Sequence, residues 1–108
     1  MKSEHEIQNQ IRLELSKYGF CVFRINVGKF KLPDGRFFDT GVPKGFSDLF
    51  AVKDGKAYFI EVKNPDGKPT KEQTNFLTVM RNRYGCVTGI ARSTEDALKL
   101  VGVGENEP

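Results

Sequence analysis

Glu61 and Lys63 stand two residues apart in Tyr58-Phe59-Ile60-Glu61-Val62-Lys63, a run that is otherwise apolar and aromatic. Side chains alternate along a strand, so Phe59, Glu61 and Lys63 share one face and Tyr58, Ile60 and Val62 the other. Packing alone gives no reason to set a carboxylate beside an ammonium there. A second carboxylate, Asp48, closes Gly45-Phe46-Ser47-Asp48 a short way upstream. Two carboxylates and a backbone carbonyl, which Val62 can supply, make the hard oxygen set that Mg²⁺ or Mn²⁺ prefers, with waters filling the other octahedral positions. An adjacent ammonium can orient or deprotonate an attacking water and offset charge on a phosphorus centre. The chemistry suggested is hydrolysis of a phosphodiester. A lone Glu-x-Lys pair is commonplace on solvated strands, and so is an Asp ahead of a hairpin; their joint placement carries the argument.

For Asp48 to meet Glu61 the chain must fold back between them, and Lys53-Asp54-Gly55-Lys56 is where it does so. Asp-Gly between the apolar runs Leu49–Val52 and Ala57–Val62 is a strong hairpin signal. The two runs should be antiparallel neighbours, bringing the start of one beside the end of the other. Upstream, Ser3 and Glu6 form a capping-box pattern, and Ile7, Ile11, Leu15 and Tyr18 recur at helical spacing, predicting a helix over residues 4–18 before Gly19. Glu4 and Gln8 lie one turn apart on it. Phe20–Ile25 reads as a strand buried on at least one face, interrupted by Arg24, which sits at an exposed edge or contacts phosphate. Residues 26–43 hold Pro33-Asp34-Gly35 and set Lys29, Lys31 and Arg36 among Phe30, Phe37 and Phe38. This is a hairpin excursion or a mobile loop, and its aromatics are satellite core or a base-stacking surface. After a loop at 64–69, Thr70 opens a second helix capped with Gln73, carrying Phe76, Leu77, Met80 and Tyr84 as a buried stripe and ending at Gly85. A strand over Cys86–Ala91 and a helix from Ser93 to about Val101 complete the order. A strand, helix, strand succession favours a parallel pair with a right-handed crossover, so the sheet should be mixed.

The chain has 108 residues, enough for one core and not two. We expect a single domain over residues 1–102 and a flexible tail over 103–108. Lys and Arg outnumber Asp and Glu by 17 to 14, a balance compatible with a polyanionic partner and too mild to argue for one. Cys21 and Cys86 lie far apart with His5 as the sole histidine, so neither a zinc site nor a disulfide framework is indicated, and buried free thiols are expected. No run approaches the ~18 apolar residues of a membrane span, and no signal core opens the chain, so a soluble, cytoplasmic protein is expected.

From Ser3 to about Leu100 the sequence resembles the VRR-NUC domain, the virus-type replication-repair nuclease family of the PD-(D/E)xK superfamily. The matching residues are Ser3-Glu4-x-Glu6-Ile7-Gln8, Arg24-Ile25-Asn26 with Gly28, Gly45-x-Ser47-Asp48, Ile60-Glu61-Val62-Lys63, and Pro69-Thr70-x-x-Gln73 leading to Phe76-Leu77. The resemblance implies an α/β (α+β) fold with a restriction-endonuclease-like core, α-β-β-β-α-β(-α), in which a mixed four-stranded sheet is flanked by helices. It implies metal-dependent cleavage of DNA, with Asp48 and Glu61 as Mg²⁺ or Mn²⁺ ligands and Lys63 as the catalytic lysine. Relatives often place a Glu on the first helix; here Gln8 takes that position, with Glu4 as the alternative. Gln73 would steady the site or serve only its cap, and Ser47 stands where the superfamily has proline. Arg24, Lys29, Lys31, Arg36 and Lys44 are the candidate DNA contacts. Standalone relatives resemble homodimeric Holliday-junction resolvases, which implies a branched DNA substrate, a homodimer, no small-molecule cofactor, and a phage or mobile-element origin.

Two other readings make different predictions. A non-catalytic DNA-binding module on the same scaffold would bind DNA in a salt-dependent way and cut nothing. A structural protein whose Glu61 and Lys63 form only a surface ion pair would show no metal affinity.

Overall fold

The computed structural model describes residues 2–103, with the backbone alone at Phe30; of the expected tail at 103–108, Val103 is half-buried with its amide donating to the Leu98 carbonyl at 2.9 Å, and 104–108 lie outside the described residues. Helix α1 (Glu4–Lys17) starts from Ser3 with both bonds of the capping box made, Ser3 to Glu6 in each direction. Its stripe of Ile7, Ile11 and Leu15 is buried. The helix's last turn is tied down by Lys53, whose ammonium donates to the Tyr18 carbonyl at 2.7 Å and lies 5.0 Å from the Phe20 ring centroid. A cation at that end also opposes the helix dipole.

Strands β1 (Cys21–Arg24), β4 (Leu49–Lys53), β5 (Lys56–Val62) and β6 (Val87–Ala91) form one sheet in the order β1-β4-β5-β6. The β4–β5 pair is antiparallel and the β5–β6 pair parallel, as the turn chemistry and the intervening helix require. Asp54 (φ 52°) and Gly55 (φ 77°) both take the left-handed region that a two-residue turn matching strand twist demands. Helix α2 (Lys71–Tyr84) runs from the Thr70–Gln73 capping box to Gly85, and α3 (Thr94–Val101) follows β6. One face of the sheet, with Leu49, Ala51, Tyr58, Ile60, Val62 and Ala91, closes on α1 and on Ala97 of α3. The other carries Phe50 and Phe59, against which Phe46 and Phe76 pack at ring separations of 4.5–5.6 Å.

Residues 26–43 form a hairpin, β2 (Lys29–Lys31) paired with β3 (Phe37–Asp39), that makes a separate two-stranded sheet. Phe37 is 70 % and Phe38 55 % exposed, so these rings are not satellite core. Three other expectations of burial are met only in part, and on the face of β1 that carries Cys21 and Phe23 the reason is that α2 lies over β5 and β6, while the opposite face, with Phe20 and Val22, packs on the core. Cys21 is exposed and Cys86 half-buried, so neither is a core thiol. Within β1, Val22 is half-buried and Phe23 exposed, and the buried aromatic is Phe20, just before the strand. Along α2 only Leu77 is fully buried, with Phe76 and Met80 half-buried and Tyr84 exposed past the edge of the sheet. Among the described residues, no helix is long and apolar enough to cross a membrane.

Candidate active site

Cross-strand register decides where Asp48 goes. Leu49 pairs with Ile60, so the residue before β4 falls opposite Glu61. Two hydrogen bonds lock that meeting: the Asp48 amide donates to Glu61 Oε1 at 3.2 Å, and the Val62 amide donates to Asp48 Oδ2 at 2.8 Å. The Asp48 carbonyl in turn accepts from Ile25 at 2.8 Å, which fixes the segment against the end of β1.

The residues ahead of Asp48 hold it from the other side. Ser47 is fully buried and its hydroxyl donates to the Leu49 carbonyl at 2.9 Å, a bond that turns the chain into β4. Phe46 sits among Phe59 and Phe76. Gly45 has φ +95°, and a Cβ there would stand 2.5 Å from the Glu72 carbonyl, so only glycine lets this loop lie against the first turn of α2.

Glu61 is 1 % exposed and its Oε2 has Lys63 Nζ at 3.7 Å and no hydrogen-bond partner. Burial first, and then the charge of Asp48, push the Glu61 carboxyl up to about 8, against the pull of Lys63. Asp48 is raised as well, chiefly by burial, with the Val62 amide and Lys63 working the other way and Glu4 adding a small push upward. A buried and a half-buried carboxylate this close cannot both be charged cheaply without a cation between or beside them.

Gln8 is buried, and its Oε1 is the other buried side-chain oxygen without a partner among the described residues. It lines a cleft of ≈ 400 Å³ together with Asp48, Arg24, Asn26, Lys44 and Gln73, whereas Glu61, which accepts from the Asp48 amide, does not line it. A second hollow of ≈ 290 Å³, against Lys2, Pro65 and Arg92, contains neither carboxylate and so has no part in this chemistry. A divalent cation suits the donors present. Gln8 Oε1 and Glu61 Oε2 are desolvated oxygens lacking a donor, and beside them stands a carboxylate held near a second of its own charge. No three His, Cys, Asp or Glu side chains gather among the described residues.

Glu4 reaches a different spot. Its Oε2 lies 2.9 Å from where a Gly67 Cβ would be, next to Asn64 Oδ1 and the Lys63 side chain. Of the two first-helix candidates, Gln8 is the one that shares the cleft wall with Asp48. Gln73 Oε1 accepts from the Thr70 amide at 2.8 Å, so its oxygen serves the cap while the residue still borders the cleft. Arg24 and Lys44 also border it, whereas Lys29, Lys31 and Arg36 belong to the hairpin and do not. Arg36 is bound to Asp34 at 2.7 Å on the surface.

One residue that sequence reasoning overlooked is Arg92. Its Nη1 donates to the carbonyls of Asn64 at 2.8 Å and Gly67 at 2.6 Å, clamping the loop that follows Lys63. Carbonyl partners leave no trace in side-chain identity, so no pattern could have revealed the clamp.

Solved structures share the fold. In fold the chain is similar to a VRR_NUC domain. That match has a TM-score of 0.67 over 94 % of this chain and 96 % of the other, at 22 % identity. A Holliday junction resolvase of Archaeoglobus fulgidus, Hjc, matches at a TM-score of 0.55 and 19 % identity, covering 81 % of this chain and 65 % of the resolvase. No family model and no curated protein matches the sequence. The restriction-endonuclease-like architecture and the resemblance to VRR-NUC domains are therefore matched at the level of fold.

Proposed function

We propose that this chain is a Mg²⁺- or Mn²⁺-dependent endonuclease that hydrolyses DNA phosphodiester bonds, acting on branched DNA such as a Holliday junction as a homodimer. The observation that carries the reading is the Asp48–Glu61 pair, a half-buried and a buried carboxylate each accepting a hydrogen bond from a backbone amide of the site, with Lys63 3.7 Å from Glu61 and a cleft open in front of Asp48. Similarity in fold to a VRR_NUC domain and to a junction resolvase supports it.

Asp48, Glu61, Gln8 Oε1 and the Val62 carbonyl would hold the ion, which supplies Lewis-acid stabilisation of charge developing on the phosphoryl oxygens. Lys63 orients the attacking water and offers a proton-bearing cation beside the reacting phosphorus. Arg24 and Lys44, on the cleft wall, bind flanking phosphates and carry affinity rather than sequence preference. Two copies related by a two-fold axis would present two such sites to the two-fold symmetry of a four-way junction.

The test is cleavage of labelled four-way junctions in Mg²⁺ by the wild type beside Asp48→Ala. Metal-dependent cutting by the wild type alone is expected; equal cutting by both would sink the site assignment, and binding without cutting would reduce the protein to a DNA-binding module.

A further inference from the structure

The β2–β3 hairpin belongs to the cleft by connection. Its incoming stem, Asn26 and Val27, and its outgoing stem, Lys44 to Phe46, both line the cleft in front of Asp48. Beyond those stems its two strands pair only with each other, and a ribbon this short gains little stability from itself. Phe37 and Phe38 are successive residues of β3, so they point to opposite faces of the ribbon, and both are mostly exposed. Phe37 stands directly across from Lys31, and Asp39 across from Lys29.

Charge identifies the occupant. Residues 24–44 hold five cations, Arg24, Lys29, Lys31, Arg36 and Lys44, against Asp34 and Asp39, so this one segment carries +3, equal to the net charge of the whole chain. The hairpin itself, residues 26–43, carries +1, with Lys29, Lys31 and Arg36 against Asp34 and Asp39, and Arg24 and Lys44 at its base add the rest, so a second copy would set like charge against like, whereas a polyanion meets it favourably. Exposed rings flanked by cations suit a strand whose bases are free to stack, since a base in a duplex hides its faces.

Building on the endonuclease reading, we infer that the hairpin is an arm that holds unpaired nucleotides next to the scissile phosphate. Phe37 and Phe38 stack on bases, and Lys29, Lys31 and Arg36 follow the backbone. The arm makes DNA with unpaired bases near a branch, such as a splayed end, a flap or an opened junction centre, the preferred substrate class over blunt duplex.

The experiment uses the full chain in EDTA, with fluorescence anisotropy on a single strand, a splayed-arm duplex and a blunt duplex, each containing 2-aminopurine. Wild type is expected to quench 2-aminopurine in the unpaired segments and to bind them more tightly than duplex. Phe37→Ala with Phe38→Ala should lower single-strand affinity about tenfold or more, abolish the quench and leave duplex affinity within about twofold, while Phe37→Tyr with Phe38→Tyr restores both. Retention of the metal-induced thermal shift in each variant verifies the fold. Unchanged single-strand affinity, an equal loss on duplex, or dissociation of a dimer with DNA affinity intact would each overturn the inference, the last by making the arm a contact between copies. Quenching by a wild type that never cuts in Mg²⁺ would leave the arm standing and remove the endonuclease reading.

Discussion

Replacing Glu61 by Gln should stabilise the metal-free protein at alkaline pH and abolish its response to metal. An unfolded Glu releases its proton near 4.5 and the folded Glu61 near 8, so between those values the native state carries the extra proton. Stability then falls as pH rises, being fullest below about 4.5 and lost by about 8. At about 1.4 kcal/mol per pH unit the ceiling is ~5 kcal/mol, and water in the adjoining cleft brings the expected loss to about 2–3 kcal/mol. Glu61→Gln mimics the protonated acid: its amide oxygen still accepts from the Asp48 amide, and its NH₂ takes the place of the partnerless Oε2, able to donate to the Asp48 carboxylate. Thermal melts in EDTA from pH 4.5 to 8.5 should therefore show wild type and variant converging in acid. In base the variant should melt higher by roughly 10 °C, since a domain of this size moves about 4–8 °C per kcal/mol. Added Mn²⁺ should raise the wild-type midpoint, most at high pH, and leave the variant's unmoved. Parallel wild-type and variant pH profiles would refute the burial and charge reasoning, and a metal shift retained by Glu61→Gln would remove Glu61 from the ligand set.

Lys63→Met should keep the Mn²⁺-induced thermal shift and lose cleavage, because the ammonium stands beside Glu61 and outside the oxygen donor set; loss of the shift in melts would make Lys63 part of ion retention instead. Gly67→Ala places a methyl 2.9 Å from Glu4 Oε2 and 3.1 Å from Asn64 Oδ1, and because the Glu4 carboxylate ends a flexible side chain that can shift, it should cost no more than about 1 kcal/mol in urea titration. Glu4→Ala in the same chain should recover much of that, and a cycle with no coupling would show that Glu4 does not occupy that space. Arg92→Ala strips the clamp from the Asn64 and Gly67 carbonyls and should cost about 2–3 kcal/mol, read as faster amide exchange over residues 64–69 ahead of the rest of the chain. Uniform acceleration everywhere would show that Arg92 supports the whole fold and not this loop.

The parts of this protein that could be read in its sequence are those set by local chemistry. Ser3–Glu6 and Thr70–Gln73 announce helix starts because each cap is closed within four residues, and the structure makes all four of those bonds. Asp54-Gly55 announces a turn because few residues tolerate its backbone, and the register it imposes carries Asp48 to Glu61. What could not be read depends on which face another element covers. Cys21 and Phe23 sit in an apolar pattern that looks like core, yet α2 covers only the β5 and β6 side of the sheet, and Tyr84, the last residue of α2, is exposed. The hairpin's phenylalanines fall to the same ambiguity, since an aromatic-rich ribbon has one sequence whether it packs inward or stands free. Gln8 shows the limit most sharply. From its position on α1 it was interchangeable with Glu4, and only three-dimensional placement separates them, one bordering the cleft beside Asp48 and the other resting against Gly67. With an uncharged amide in that place, the negative charge of the proposed ion site comes from Asp48 and Glu61, and burial first, then the charge of Asp48, raises Glu61 to about 8. Proton and metal therefore compete for the same oxygens, and occupancy of the site should rise with pH across the range in which Glu61 gives up its proton.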